Sequence, residues 1–580
     1  GLICMYTVAD QLVEILEKAG IKRIYGIVGD SLNPITDALR RKKTIEWIHM
    51  RHEEVGAFAA SAEAQLTGNL AVCCGSSGPG NLHLINGLYD AHRSRARVLA
   101  IASHIPQSQV GVDYFQVTHP EQLFKECSSY AELASTAEQA PRVLMSAIQH
   151  AYSLHDVGVI VLPGDVADAP AEAKDLVHPP AFARETVVPD HESVARLAQM
   201  LASHDRITFF CGGGCAGAER KVVQLAARVK APIAYTWRGK DYFEHDNPVG
   251  VGMTGLLGWG DAYKAMHESD LIVMWGTDFP YFNFLPTKPA IVQIDRRGEV
   301  LGRRCRLDLG ICGDVGATVD ALLGMVEEKK DSDHLDASLK RHAKDVKDMN
   351  AYMDGNDKES PIRPEQVTTA VNKYAAPDAV FTVDTGTPCI WSARFLCSTL
   401  GRKTLASFNH GSMANAMPMA IGAQKAYPNR QVVALCGDGG LSMLLGDLIT
   451  IAQYKLPVKL VVYNNDCLDF IQLEMQAAGL IPWGINLDNP SFAAVADAVG
   501  IKGFVLDKSS QVDEMVQAFL KYPGAALLDA RVDRDAIALP PYISLGQAAD
   551  FSLAMVKQTL TGEVKQVWNT LAGNRKLFKP

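Results

Sequence analysis

The sequence predicts an α/β protein of three parallel-sheet α/β domains followed by a C-terminal helical tail, and three observations carry that prediction. Short apolar runs that read as buried strands alternate with helix-period segments along most of the chain. Gly-rich turns follow several of those runs, as in GSSGPG (75–80), CGGGCAG (211–217) and CGDGG (436–440). Two segments dense in charge and proline, 171–193 and 327–366, separate the units. They set expected domains at 1–175, 185–340 and 360–535, with a tail at 540–580.

The 580 residues are enough for several such units. A composition of 48% hydrophobic and 21% charged residues is ordinary for a folded chain. The net charge of −9 argues against a nucleic-acid binder, which needs a basic face. No apolar run reaches the roughly 18 residues that a membrane-spanning helix needs. The opening GLICMYTVADQ lacks a basic stretch before an apolar core, so no signal peptide is expected. Twelve cysteines without a CxxC pair read as reduced, mostly buried thiols in a cytoplasmic protein.

In the first unit, ADQLVEILEKAG is an amphipathic helix closed by Gly20, and RIYGIVG is a strand entering a Gly-Asp turn. IEWIHMRHEEVGAFAASAEAQLTG is a strand feeding a long helix, with Glu53 and Glu54 at the junction. By themselves these are first-turn acids that suit a helix dipole.

The second unit opens with ITFFCGGGCAGAERKVVQLAARV, where Gly212, Gly214 and Gly217 match GxGxxG after a strand and before a helix. Further candidates stand just after later strands: Arg238, Gly239 and Lys240; Gly252, Met253, Thr254 and Gly255; Gly276 and Thr277; Gly313 and Asp314. Arg238 and Lys240 are expected to face phosphates, and Asp295 a ribose hydroxyl. The charged 327–366 stretch is expected to be solvated helix and linker.

The third unit carries the most informative stretch, GDGGLSMLLGDLITIAQYKLPVKLVVYNND (437–466). Gln431–Cys436 and LPVKLVVY read as neighbouring parallel strands, with LSMLLGDLITIAQY as one helix between them. Asp438 and Asn465, 27 residues apart, then converge at strand C-termini, where open sheets bind ligands. Gly439 and Gly440 admit a phosphate to a helix start. One carboxylate, one amide oxygen and the Cys467 carbonyl suit Mg²⁺ shared with a diphosphate.

GDG followed by about 25 to 30 residues and NN is the thiamine diphosphate (ThDP) motif that this stretch resembles. RHEEVGAFAA, GSSGPGNLHLINGLYDAHR, FQVTHP, GDSLNP, RGK, DTGTP and SFNHGSMANAMP resemble further segments of the ThDP- and FAD-dependent pyruvate oxidases, the quinone-linked bacterial branch above all. The resemblance spans nearly the whole chain. It implies pyrimidine-binding, FAD-binding and diphosphate-binding domains, with ThDP, Mg²⁺ and FAD as cofactors. It further implies oxidative decarboxylation of pyruvate to acetate and CO₂, with electrons passed to FAD and then to a membrane quinone. The alternatives within the resemblance are a phosphate- and O₂-using oxidase making acetyl phosphate, and an acetolactate-synthase-like carboligase.

By the same resemblance Glu53 is the acid at the cofactor pyrimidine and His83 belongs to the active-site rim. Phe115 and Gln116 reach the substrate, Met413 is an apolar wedge under the cofactor, and Gly386 and Thr387 contact the diphosphate. Phe470, Ile471 and Glu474 fall where the family places substrate-side groups. Asp469 stands where the family has Gly, and Val117 where it has Glu. An added carboxylate there repels a carboxylate substrate unless it points away.

In the tail, Val564, Val567, Trp568 and Leu571 fall on one helical face, with Glu563, Lys565, Gln566 and Asn569 opposite. That pattern suits a helix lying on an anionic membrane surface, which would place the protein on the inner face of the cell membrane. The family builds its active sites between two chains, so at least a dimer, and a dimer of dimers, is expected.

Overall fold

The computed structural model describes residues 5–354, 361–399, 401–536, 545–560 and 562, with single positions at 567, 570, 571 and 574. Among these residues the strands form three sheets, one for each predicted unit. The predicted amphipathic segment at 563–571 lies mostly outside the described residues.

The first sheet runs Glu46–His49, Arg23–Gly26, Ala71–Gly75, Val98–His104, Val157–Pro163, Tyr130–Leu133, all parallel. The third runs Lys403–Ala406, Val380–Val383, Val432–Gly437, Lys459–Asn464, Ala526–Arg531, Lys502–Leu506, again all parallel. Counted within each unit, both follow the spatial order 2-1-3-4-6-5, so the first and third units share one topology. Each reverses its winding between its first and third strands, and a crevice opens there at the strand C-termini.

The middle sheet has seven strands in the order 4-3-2-1-5-6-7. Its reversal lies between Ile207–Cys211 and Leu271–Trp275. Here the structure departs from an all-parallel sheet, because Trp259–Gly260 returns antiparallel to Gly250–Met253. The turn between them needs Gly255 at φ +99°, a backbone setting that side chains disfavour.

Two further elements differ from expectation. The helix predicted over LSMLLGDLITIAQY is broken into Asp438–Met443, a 3₁₀ turn at Leu445–Asp447, and Leu448–Gln453. The break lets the Asp447 carboxylate accept the Arg51 N–H (2.9 Å), which ties the third domain to the first. The charged segment becomes a helix, Asp333–Asp354, that is not wholly solvated. Its Leu335 and Ser338 are buried, and Arg341 grips Asp261 through two hydrogen bonds of 2.7 and 2.9 Å.

The first and third domains share one hydrophobic core. Its centre is the pairing of the helix Glu53–Thr67 with Ala416–Ala426, both rich in alanine and buried on nearly every side. Small residues allow the close approach: a Cβ on Gly422 would overlap the Ala59 carbonyl, and one on Gly87 would overlap Ala57. The packing fixes the start of Glu53–Thr67, and therefore Glu53, against the third domain.

Candidate active site

Asp438 ends the strand Val432–Gly437 and begins a helix, and it is only 3% exposed. One carboxylate oxygen accepts the Gly439 N–H (2.8 Å). The other accepts Asn465 N–H (3.1 Å), Asp466 N–H (2.9 Å) and Asn489 Nδ2 (2.9 Å). The strand ends of Val432–Gly437 and Lys459–Asn464 therefore converge on this carboxylate as their spacing predicts. Burial pushes the Asp438 pKa up although those donors oppose it, and a cation bound beside it would favour the charged carboxylate.

Asp384 lies beside it at the switch point of the sheet. It accepts the Ala416 N–H (2.8 Å) and the Gly437 N–H (3.1 Å), and burial pushes it up to about 7. Gly440 has no Cβ because the Asp384 carboxylate occupies that space. Gly439 lies near Met413, whose Cε would be 3.5 Å from a Cβ there.

Gly386, at φ +133°, turns the chain into the buried helix Thr387–Phe395. The Thr387 hydroxyl donates to both oxygens of Asp469 (2.8 and 2.9 Å), and Asn465 Nδ2 donates to one of them (2.7 Å). Asp469 therefore points into the clamp. Burial above all, helped by the Asp438 charge, pushes it up to about 6 against these hydrogen bonds. Asn465 Oδ1 accepts the Cys467 N–H (3.2 Å), which brings the predicted third ligand to the same turn.

Glu53 is 6% exposed at the start of its helix, and its Oε2 lies 2.7 Å from His83 Nδ1. His52 caps the helix by accepting the Glu54 N–H (3.1 Å) and stacks on His83 at 4.3 Å between ring centroids. Asn86 joins this group to the Met413 loop, since its Nδ2 donates to Glu54 (2.6 Å) and to Ser412 Oγ (3.0 Å). Among the described residues, no hydrogen bond joins the Glu53–His83 pair to Asp438 or Asn465 of the same chain.

Gln116 adopts φ +62° with its backbone packed where Gly78 lacks a Cβ, and Phe115 beside it is 76% exposed. Both line a cavity of about 790 Å³ at the C-terminal edge of the first sheet, with Ser77 and His104. Phe470, Ile471 and Glu474 share the helix Asp469–Ala477. Phe470 packs on the third-domain core, while Ile471 and Glu474 are exposed. This helix contacts Leu545–Leu560, through Gln476 to Gln558 (3.3 Å).

In the middle domain, Gly212 N–H donates to the Trp275 carbonyl and Gly214 N–H to the Gly276 carbonyl, both at 3.0 Å. Gly214 and Gly276 approach too closely for any side chain, and Gly217 holds φ +80° before the helix. Met253, Thr254, Thr277 and Asp295 are buried around that edge, where Gly252 holds φ +93°. The Thr254 hydroxyl has no protein partner among the described residues, as a ligand-facing donor would. This edge fits a dinucleotide.

Several residues predicted for that edge are committed elsewhere. Lys240 is buried in an ion pair with Glu244, a pairing four residues apart on one helix. Arg238 lays its stem over Gly213 and donates to the Ser94 carbonyl (2.8 Å) and to Gln65 (3.4 Å), bracing the middle domain against the first. Gly239 fits under Cys211. Gly313 packs on Pro189, and Asp314 exchanges hydrogen bonds with Val187 N (2.7 Å) and O (2.8 Å), so this pair holds the interdomain segment.

Sequence reasoning missed Asp384, Asn415 and Asn489. Asn415 Nδ2 donates to the Val383 carbonyl (3.0 Å), and Asn489 bridges Asp438 to Asn464. DTGTP and MANAMP already contained the first two.

Three sheets of this topology, with an acid-and-amide clamp at the third switch point, define a diphosphate-binding α/β enzyme. Three family models match in chain order: thiamine pyrophosphate enzyme, N-terminal TPP binding domain over residues 6–124, central domain over 194–322, and C-terminal TPP binding domain over 384–530. The chain is 33% identical over 573 residues to a putative thiamine pyrophosphate-containing protein of Bacillus subtilis, covering 99% of both chains. It is 33% identical over 517 residues to a pyruvate oxidase of Lactiplantibacillus plantarum, covering 87% of this chain and 85% of that one. An uncharacterized 42.6 kDa protein of Pseudomonas amyloderamosa is 55% identical over 338 residues, 58% of this chain and 85% of the relative. Acetolactate synthases match at lower identity. The chain belongs to the thiamine pyrophosphate (ThDP) enzymes, on the side of pyruvate oxidases and acetolactate synthases.

Proposed function

We propose that this chain converts pyruvate and water to acetate and CO₂ and passes the two electrons released, by way of FAD, to a membrane quinone. The reading rests on two observations: a buried acid, Glu53, at a helix start in the first domain, and the acid-and-amide clamp at Asp438 and Asn465 in the third. ThDP would supply the carbanion chemistry and FAD the two-electron acceptor.

The chain's own residues have these roles in the proposal. Asp438, Asn465 and the Cys467 carbonyl hold Mg²⁺. Gly440, Gly386 and Thr387 offer main-chain N–H groups to the diphosphate, the Gly439 N–H being held by Asp438. Met413 presses on the cofactor from the side of Gly439. Glu53 would serve as the acid facing the cofactor pyrimidine, and His83 Nδ1 orients its Oε2. Phe115, Gln116, Phe470, Ile471 and Glu474 bound the substrate and shield it from water. The glycine edge around Gly212, Gly214 and Gly276 would hold FAD, with Thr254 and Asp295 as polar contacts. The family resemblance suggests that a complete site takes Glu53 from one chain and the clamp from another. Dimers, paired into tetramers, satisfy that demand.

The tail is proposed to lie on an anionic membrane surface. Among the described residues no helix is long and apolar enough to cross a membrane, and interfacial contact requires none. Product analysis tests the whole reading. Turnover of pyruvate with a soluble quinone should yield acetate without need of phosphate, and anionic vesicles should accelerate it. A chain ending at Gly562 should lose that acceleration. Phosphate-dependent acetyl phosphate with peroxide, or acetolactate, would each overturn the quinone route in favour of the corresponding relative.

A further inference from the structure

Asp469 stands inside the clamp, and its geometry is specific. It begins the helix Asp469–Ala477, and its carboxylate takes the Thr387 hydroxyl hydrogen at 2.8 and 2.9 Å and one Asn465 Nδ2 hydrogen at 2.7 Å. The other end of the same amide, Oδ1, accepts the Cys467 N–H at 3.2 Å. Turning the Asn465 amide over would set its oxygen against a carboxylate and its NH₂ against an N–H donor. Both contacts would be repulsive, so the amide is locked in one orientation. An amide oxygen has two lone pairs, and Cys467 uses one.

We infer that Asp469 is a positioning residue of the cation clamp, which locks the Asn465 amide with its oxygen, not its NH₂, available to a divalent cation. The inference rests on the ThDP reading of the clamp. Asp469 thus strengthens the clamp through Asn465 instead of acting on the substrate. With the Thr387 hydroxyl hydrogen engaged, the unpaired main-chain N–H at that helix start is left for the diphosphate.

Cation binding tests this without recourse to turnover. Mn²⁺ is titrated into the full-length protein with ThDP present, and free Mn²⁺ is read by electron paramagnetic resonance. Asp469→Ala should weaken Mn²⁺ binding by roughly tenfold or more, the scale of one hydrogen bond to a charged group. Asp469→Asn, whose side-chain oxygen can still accept from Asn465, should recover most of the loss. Thermal melting of the cofactor-free proteins reports whether either variant is unfolded; the Asn variant keeps the side-chain shape and carries the test if the Ala variant fails to fold. Unchanged or tighter Mn²⁺ binding in Asp469→Ala overturns the inference, as does an Asn variant no better than the Ala variant. Failure of the unsubstituted chain to bind Mn²⁺ with ThDP overturns the clamp reading itself, and that outcome is visible before any variant is made.

Discussion

Glu53→Gln is expected to slow the reaction of pyruvate with the fully loaded enzyme by about 10²–10⁴-fold, the usual contribution of a positioned acid or base. The substitution keeps side-chain length and volume at the helix start. The amide can still meet His83 Nδ1, and the capping by His52 is untouched. What it removes is the exchangeable proton of a side chain that is 6% exposed and that solvent cannot readily replace. Stopped-flow mixing under anaerobic conditions reads the rate, and an unchanged melting temperature shows that the fold has survived. A rate within a few-fold of the unsubstituted enzyme would remove Glu53 from the mechanism.

Asp438→Asn should have the second large effect, on cofactor loading. The carboxylate accepts from Gly439, Asn465, Asp466 and Asn489 and is the one formal charge those groups converge on. A unit charge pair 4 Å apart is worth about 4 kcal/mol at an effective dielectric of about 20. That corresponds to roughly a thousandfold in affinity. The new NH₂ would also face donors, leaving buried N–H groups unsatisfied at about 1–3 kcal/mol each. Calorimetric titration with Mg²⁺ and ThDP should show affinity falling by roughly three orders of magnitude, and the cofactor-free variant should melt earlier. Retained affinity would place the cation elsewhere.

What the sequence made legible follows from how local each signal is. Asp438 and Asn465 could be paired because one crossover between adjacent parallel strands fixes where both strand ends fall. Gly212, Gly214 and Gly276 were legible because close backbone approach at a switch point tolerates only glycine. Asn489 was not legible: it reaches Asp438 from 51 residues downstream, and an asparagine after an Asp carries no period or spacing. The break at Leu445–Asp447 was hidden because the apolar pattern continues through it, and only the contact of Asp447 with Arg51 explains it. Lys240 illustrates an avoidable error, since Glu244 one turn later already offered a partner. Asp469 was recognisable as unusual, but its direction depended on Thr387, which is 82 residues away.

In the proposed reaction pyruvate delivers electrons to a flavin within this chain's assembly. Anaerobic addition of pyruvate to the protein loaded with ThDP, Mg²⁺ and FAD tests it directly. The oxidised-flavin absorbance is expected to bleach and to return when a quinone is added. A flavin that stays oxidised while pyruvate is consumed, or a protein that binds no flavin, would contradict it.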